Sequence, residues 1–283
     1  MSHVFFKGGT LIDGNGGVME DSGVLIHDDE IAQIGKASEA NLPPDTLVQE
    51  IGGKVIMPGL IDAHVHLVGV RTPNPISASF TPPELLVGRA LNDTKKLIEA
   101  GFTSVRDVGS HVALHVRNLI AEGEYEGPRI KASYKLLSQT GGHGDLHMLP
   151  PEFNSYGYIC DGVAECRKAA RTMFREGADF IKVCASGGVL SEKDDPRSPQ
   201  FTLDVLEAIV YEAGAVGSYV AAMLDRDVIL VPTMTITSLL VAHGSRMGLP
   251  ESTLRKAQLL KQVHTQNLQK AYRAGVKIAT GKR

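Results

Sequence analysis

The sequence predicts an α/β chain in which a (β/α)8 TIM-type barrel, incomplete as written, follows a small β-sandwich domain. Three observations carry that reading. Residues 1–57 hold only short strand-like runs broken by Asp, Asn and Gly. From Val55 onward strand-like and helix-like segments alternate, the pattern of parallel β-α units. An apolar run, Val55-Ile56-Met57-Pro58-Gly59-Leu60-Ile61, is bounded by Pro-Gly turn chemistry and leads into Asp62-Ala63-His64-Val65-His66, as a buried strand ending in polar residues would.

The first region is expected to be an antiparallel β domain over residues 1–57. Its strand-like pieces are Val4-Phe5-Phe6, Val24-Leu25-Ile26, Ile31-Ala32-Gln33-Ile34 and Val48-Gln49-Glu50-Ile51. Gly8-Gly9 and Asp13-Gly14-Asn15-Gly16-Gly17 are read as its tight turns. The second region, 58–283, is expected to be the barrel. After the strand ending at Leu67, the next candidates are 103–108, 129–133 and 179–183, then 219–222, 227–231 and 276–279. Seven candidates are visible where a closed barrel needs eight. Helices are expected at 83–100, where Val87, Leu91, Thr94 and Ile98 repeat at spacings of 4, 3 and 4, and at 162–176 and 254–274; each closes at a glycine.

Bulk properties exclude several classes. A 283-residue chain with 43% hydrophobic and 22% charged residues is an ordinary globular composition. A net charge of -3 gives no footprint for nucleic acid or an anionic membrane. Met1 to Lys7 lacks the basic start and apolar core of a signal peptide, and no 18-residue apolar run occurs. Cys160, Cys166 and Cys184 form no Cys-x-x-Cys pair, which argues against a disulfide framework or a cysteine-rich zinc knuckle. A cytoplasmic location is expected.

Side chains two apart on a strand point the same way, so His64 and His66 project together. Two converging imidazoles make half of a metal site; the alternative is one packed and one solvated histidine. Lys182 lies within the apolar strand Asp179-Phe180-Ile181-Lys182-Val183, where a charged amine is costly unless paired, modified or snorkelling to water. Gly141-Gly142-His143-Gly144-Asp145 follows the third strand, where barrel loops build sites, and its glycines would let backbone approach a ligand; a mobile loop with solvated histidines is the alternative. Ser186, Gly187 and Gly188 could offer backbone N–H groups. Arg106 and Asp107 close the second strand, one facing the barrel mouth or both forming a structural pair. His111 and His115 are spaced i, i+4 without the acidic partner of a helical zinc motif, so a solvated helix face is expected. His243, placed in a loop, and His264, placed in a helix, receive no role.

PGLIDAHVH, GFTSVRD, GPRI, GGHGD and IKVxxSGG, in that order, resemble the amidohydrolase superfamily of the binuclear-metal type with a carboxylated lysine. The GGHGD loop is most similar to that of the prolidase-like branch, which cleaves Xaa-Pro dipeptides or removes a C-terminal residue. The likeness runs from the N-terminal β domain through Gly281. It implies a hydrolase of C–N bonds in small dipeptides, with two zinc ions sharing a hydroxide. His64 and His66 would hold the more buried metal, and carboxylated Lys182 would bridge both. Carboxylation requires a neutral amine, which burial favours. His143 would meet the scissile carbonyl or the substrate carboxylate, with Gly142, Ser186 and Gly187 beside the substrate. Assembly with further copies of the chain is expected by analogy.

The sequence also departs from that family. The fifth strand should run into a ligand histidine, but Met223 follows Tyr219-Val220-Ala221-Ala222. No sixth strand ending in histidine is visible, and the eighth, Val276 to Gly281, is followed by Lys282 and Arg283 rather than by a metal-binding aspartate acting as general base. About 30 residues, one β-α unit, are expected to be missing near residue 223, with further segments after 281. Two other readings follow: hydrolysis of cyclic amides such as imidazolones and hydantoins, or a catalytically dead barrel retained as a binding module.

Overall fold

The computed structural model describes residues 3–69, 71–72, 75–188, 195–216, 229–230, 234–273 and 277–278. The chain divides into two compact units, Met1–Gly59 and Leu60–Arg283.

The first unit is one five-stranded sheet. Its strands are β1 (His3–Ile12), β2 (Val18–His27), β3 (Glu30–Lys36), β4 (Leu47–Glu50) and β5 (Val55–Ile56). The order is β3-β2-β1-β4, with β5 also pairing β1. β2 runs antiparallel to β1 and β3, but β4 and β5 run parallel to β1. The expected antiparallel sandwich is therefore corrected to a single mixed sheet, because the 37–54 segment crosses over and returns in the direction of β1. Its core is small, with Phe5, Leu25 and Ala37 at its centre. Every residue of β3 but one is exposed, and among the described residues no strand pairs with its outer edge.

Gly8 and Gly9 do not form a turn. They lie inside β1, where the register with β2 slips twice between Lys7 and Leu11. Gly8 takes φ +83°, and a Cβ on Gly9 would sit 2.6 Å from Ile51 Cδ1. This is a bulge, for which glycine is the suitable residue. The second expected turn is present: the Asp13 carboxylate accepts the N–H groups of Asn15 and Gly17 at 2.7 and 2.9 Å.

The second unit alternates strand and helix. In order, it contains β6 (Leu60–Val65), α1 (Pro83–Glu99), β7 (Phe102–Asp107), α2 (Ala113–Ala121), β8 (Arg129–Ala132), β9 (Leu136–Ser138), β10 (Gly157–Ile159) and α3 (Gly162–Arg175). There follow β11 (Lys182–Val183), α4 (Leu203–Val216), β12 (Ile229–Leu230), α5 (Met234–His243), α6 (Glu251–Arg273) and β13 (Lys277–Ile278). Every pairing between these described strands is parallel, in the groups β6-β7-β8, β10-β9-β11 and β12-β13. The described strands make three parallel groups rather than one closed ring of eight. The expected strand at 219–222 lies outside the described residues.

Helices cover one face of these strands. Val65, Leu67, Val105, Ile130 and Ala132 pack with Ala90 of α1 and with Ala113, Leu114 and Val116 of α2. Leu137, Ile181 and Val183 pack with Cys166, Ala169 and Met173 of α3 and with Val205 and Ile209 of α4. The three cysteines are buried thiols outside any disulfide, with Cys160 and Cys166 Sγ 3.2 Å apart. Between the groups, Asp179 ties β8 to the approach to β11. Its N–H donates to Ala132 O, and its carboxylate accepts Ala132 N–H, Lys131 Nζ and Arg117 Nη1 at 2.7–2.9 Å.

Candidate active site

Strand periodicity places the key side chains. With Val65, Val105, Ile130, Leu137 and Val183 turned toward the helices, the alternate positions turn the opposite way. That second set contains His64 and His66 at the C-terminal end of β6, Arg106 on β7 and Lys182 on β11. The two imidazoles lie edge to face, ring centroids 5.5 Å apart. His64 N–H donates to the carboxylate of Asp62, itself buried, at 3.1 Å. The two strand groups meet beside His66. A Cβ built on Gly109 would sit 3.6 Å from His66 Cε1 and 3.4 Å from Leu136 Cδ2, and Leu136 is the register partner of Lys182.

Asp107 was expected to pair with Arg106 or to face the barrel mouth, and it does something else. It is fully buried, and its carboxylate accepts Leu67 N–H and Ser110 Oγ–H, both at 2.6 Å, and Gly109 N–H at 3.1 Å. Burial raises its carboxyl to about 6 despite those donors. Arg106 lies over the Phe180 ring at 4.4 Å, its guanidinium pKa lowered by burial.

The GGHGD loop is a fixed mount. Gly141 N–H donates to Asp145 Oδ2, Gly142 N–H to Gln139 O, His143 N–H to Gln200 Oε1, Gly144 N–H to Ser138 Oγ and Asp145 N–H to Gly142 O, all within 3.2 Å. Buried Asn154 braces it further, Nδ2 donating to Gly144 O at 2.8 Å. The loop's N–H groups are thus used internally, and its outward chemistry is the His143 side chain. Gly187 N–H likewise donates to Ser198 O at 3.3 Å, while Ser186 is exposed. Gly188 lies against the His143 ring: a Cβ there would overlap Nδ1. His115 is exposed on α2, and His243 is the last residue of α5 rather than part of a loop.

Residues 55–227 match the model of the amidohydrolase family. The chain belongs to that family. It is therefore a hydrolase of amide and peptide C–N bonds. Ochratoxinase of Aspergillus niger is 31% identical over 326 aligned positions, covering 96% of this chain and 67% of that protein. Among solved structures, a prolidase complexed with N-methylphosphonate-L-proline superposes with TM-score 0.86 at 29% identity, over 99% of this chain and 78% of that one. A Xaa-Pro dipeptidase with methionine in its active site gives TM-score 0.83 at 27% identity, over 99% and 79%. These likenesses carry the TIM-barrel fold class.

Members of this superfamily commonly use a metal ion. Among the described residues no group of three or more His, Cys, Asp or Glu side chains is arranged to hold one. Two imidazoles are nonetheless on one face with Lys182. The contact of His66 Nδ1 with Gly109 O, at 3.3 Å, calls for an N–H on Nδ1, so in the neutral ring the lone pair lies on Nε2. Two imidazole nitrogens on one face are donors of the kind that a divalent transition metal takes.

Proposed function

We propose that this chain carries the site of a metal-dependent dipeptidase acting on Xaa-Pro or similar small dipeptides. The strand alternation that turns His64 and His66 at the end of β6 and Lys182 on β11 away from the packed helices supports that reading most directly. His64 and His66 would hold a metal by imidazole nitrogen. The neutral amine of Lys182 attacks carbon dioxide; an N–C bond forms as one C–O π bond opens, a proton leaves to solvent, and the carbamate oxygens would add ligands for zinc. When bound, zinc lowers the pKa of water and polarises a carbonyl. His143, on its braced loop, orients the dipeptide through its carbonyl or carboxylate, with Gly142, Ser186 and Gly187 forming the wall of that subsite. Barrel and N-terminal sheet are read as two domains.

Release of proline from Xaa-Pro dipeptides, measured with zinc and bicarbonate against hydantoin and imidazolone substrates, tests this. We expect dipeptide turnover that falls about a hundredfold or more in Lys182→Ala. Turnover of ring amides alone, or dipeptide turnover undiminished in that variant, would overturn it.

A further inference from the structure

Three consecutive residues hold His66 at three points. Val108 N–H donates to Val65 O at 3.0 Å, fixing the backbone just before His66. Asp107 Oδ2 accepts Leu67 N–H at 2.6 Å, fixing it just after. Gly109 O accepts the ring Nδ1–H at 3.3 Å, fixing the imidazole itself. The tripeptide is in turn locked. Asp107 draws Gly109 N–H and Ser110 Oγ–H onto its own carboxylate, and Ser133 N–H holds Asp107 O at 3.0 Å. Gly109 has φ +142°, a conformation that side chains rarely adopt, which turns its carbonyl toward the ring. Asp107, Val108 and Ser110 are at most 2% exposed, so water does not compete for these bonds.

We propose that Asp107-Val108-Gly109 is a positioning clamp that sets the backbone, ring orientation and tautomer of His66 so that the Nε2 lone pair is the one presented. The proposal rests on the metal-site reading above for its purpose, but its geometry does not need a metal to be present. A carboxylate is required at 107 because three donors converge there. Asparagine would turn an N–H group against at least one of them, and the strand end after His66 would loosen. Partners that orient a ligating histidine typically change metal affinity 10–100-fold when removed. Asp107, Val108 and Gly109 touch no reacting atom in this scheme; they act through His66.

The test uses the whole chain with 15N-labelled histidine. Ring-nitrogen NMR without metal reads the His66 tautomer, assigned with His66→Gln, and chelator competition reads zinc affinity. In the wild type, His66 is expected as the Nδ1–H tautomer. Asp107→Asn should mix the tautomers and weaken zinc about 10–100-fold, and Ser110→Ala, which removes a single donor, should do so to a smaller degree. Unchanged His66 ring signals in both folded variants would overturn the clamp. So would altered tautomers with zinc affinity unchanged from a tightly binding wild type. Altered tautomers in variants of a wild type that binds no zinc would leave the clamp standing and remove the metal-site reading instead.

Discussion

Gly188 shows how far a single position constrains this site. A methyl group there would overlap the His143 imidazole, whose backbone is anchored by Gln200, so the ring must leave its place. We expect Gly188→Ala to lower kcat/KM for dipeptides about tenfold or more while thermal stability changes little, because the contact lies at a loop rather than in the core. Two aspartates set opposite pH responses. Burial pushes the Asp179 carboxyl up, but the bonds from Ala132 N–H, Lys131 and Arg117 outweigh it and hold the group below its ordinary range. Its stabilising contribution is therefore present above about pH 4 and is lost as pH falls through the lower native value. Asp107, raised to about 6, contributes stability that is complete below about pH 4 and is lost as pH rises through 6, a span worth about 3 kcal/mol. Urea midpoints between pH 3 and 8 should show Asp179→Asn flattening the acid limb and Asp107→Asn flattening the rise between 6 and 4. The Asp107 role was hidden in the sequence, since Arg-Asp at a strand end reads as an ion pair. Only the fold brings Leu67 N–H onto that carboxylate, from 40 positions away.

At the scale of elements, α3 was legible because its apolar positions recur at helical spacing between Asp161 and Gly177. Met173, fully buried, stands in the cluster that joins α3 to β9 and α4. Truncation to alanine should cost about 2–4 kcal/mol in urea denaturation, less if neighbouring side chains close in. α1 was legible for the same reason, and β7 and β8 as short strand-like runs between helix-like segments. α4 was not, because Leu203–Val216 is apolar on most sides and offers no stripe to read. Its docking relies on Glu212, whose carboxylate accepts Arg171 Nε and Nη2 at 2.6 and 2.8 Å, a long-range pair that no local pattern announces. β9 and β10 were missed because three-residue strands carry no period. Ser138, Asn154 and Gln200 brace the GGHGD loop from separate segments, so the loop's rigidity was equally unreadable even though its motif was plain.

For the whole molecule, composition and motif order identified a C–N hydrolase of barrel type, and the family match carries the same statement. The N-terminal unit was read less well, because short strands reveal that a sheet exists but not which way β4 and β5 return beside β1. That unit's outermost strand has a further consequence. β3 leaves one row of backbone donors and acceptors unpaired among the described residues, and Ile31 and Ile34 stand 64% and 48% exposed along it. Only Glu30 and Lys36, at its two ends, carry charge that would repel an incoming strand. Wherever that edge stays uncovered, a second chain can add to it one hydrogen bond at a time. The shelf life of a concentrated solution would then be set by this seven-residue strand, with fibrillar growth starting at the sheet while the second unit remains folded.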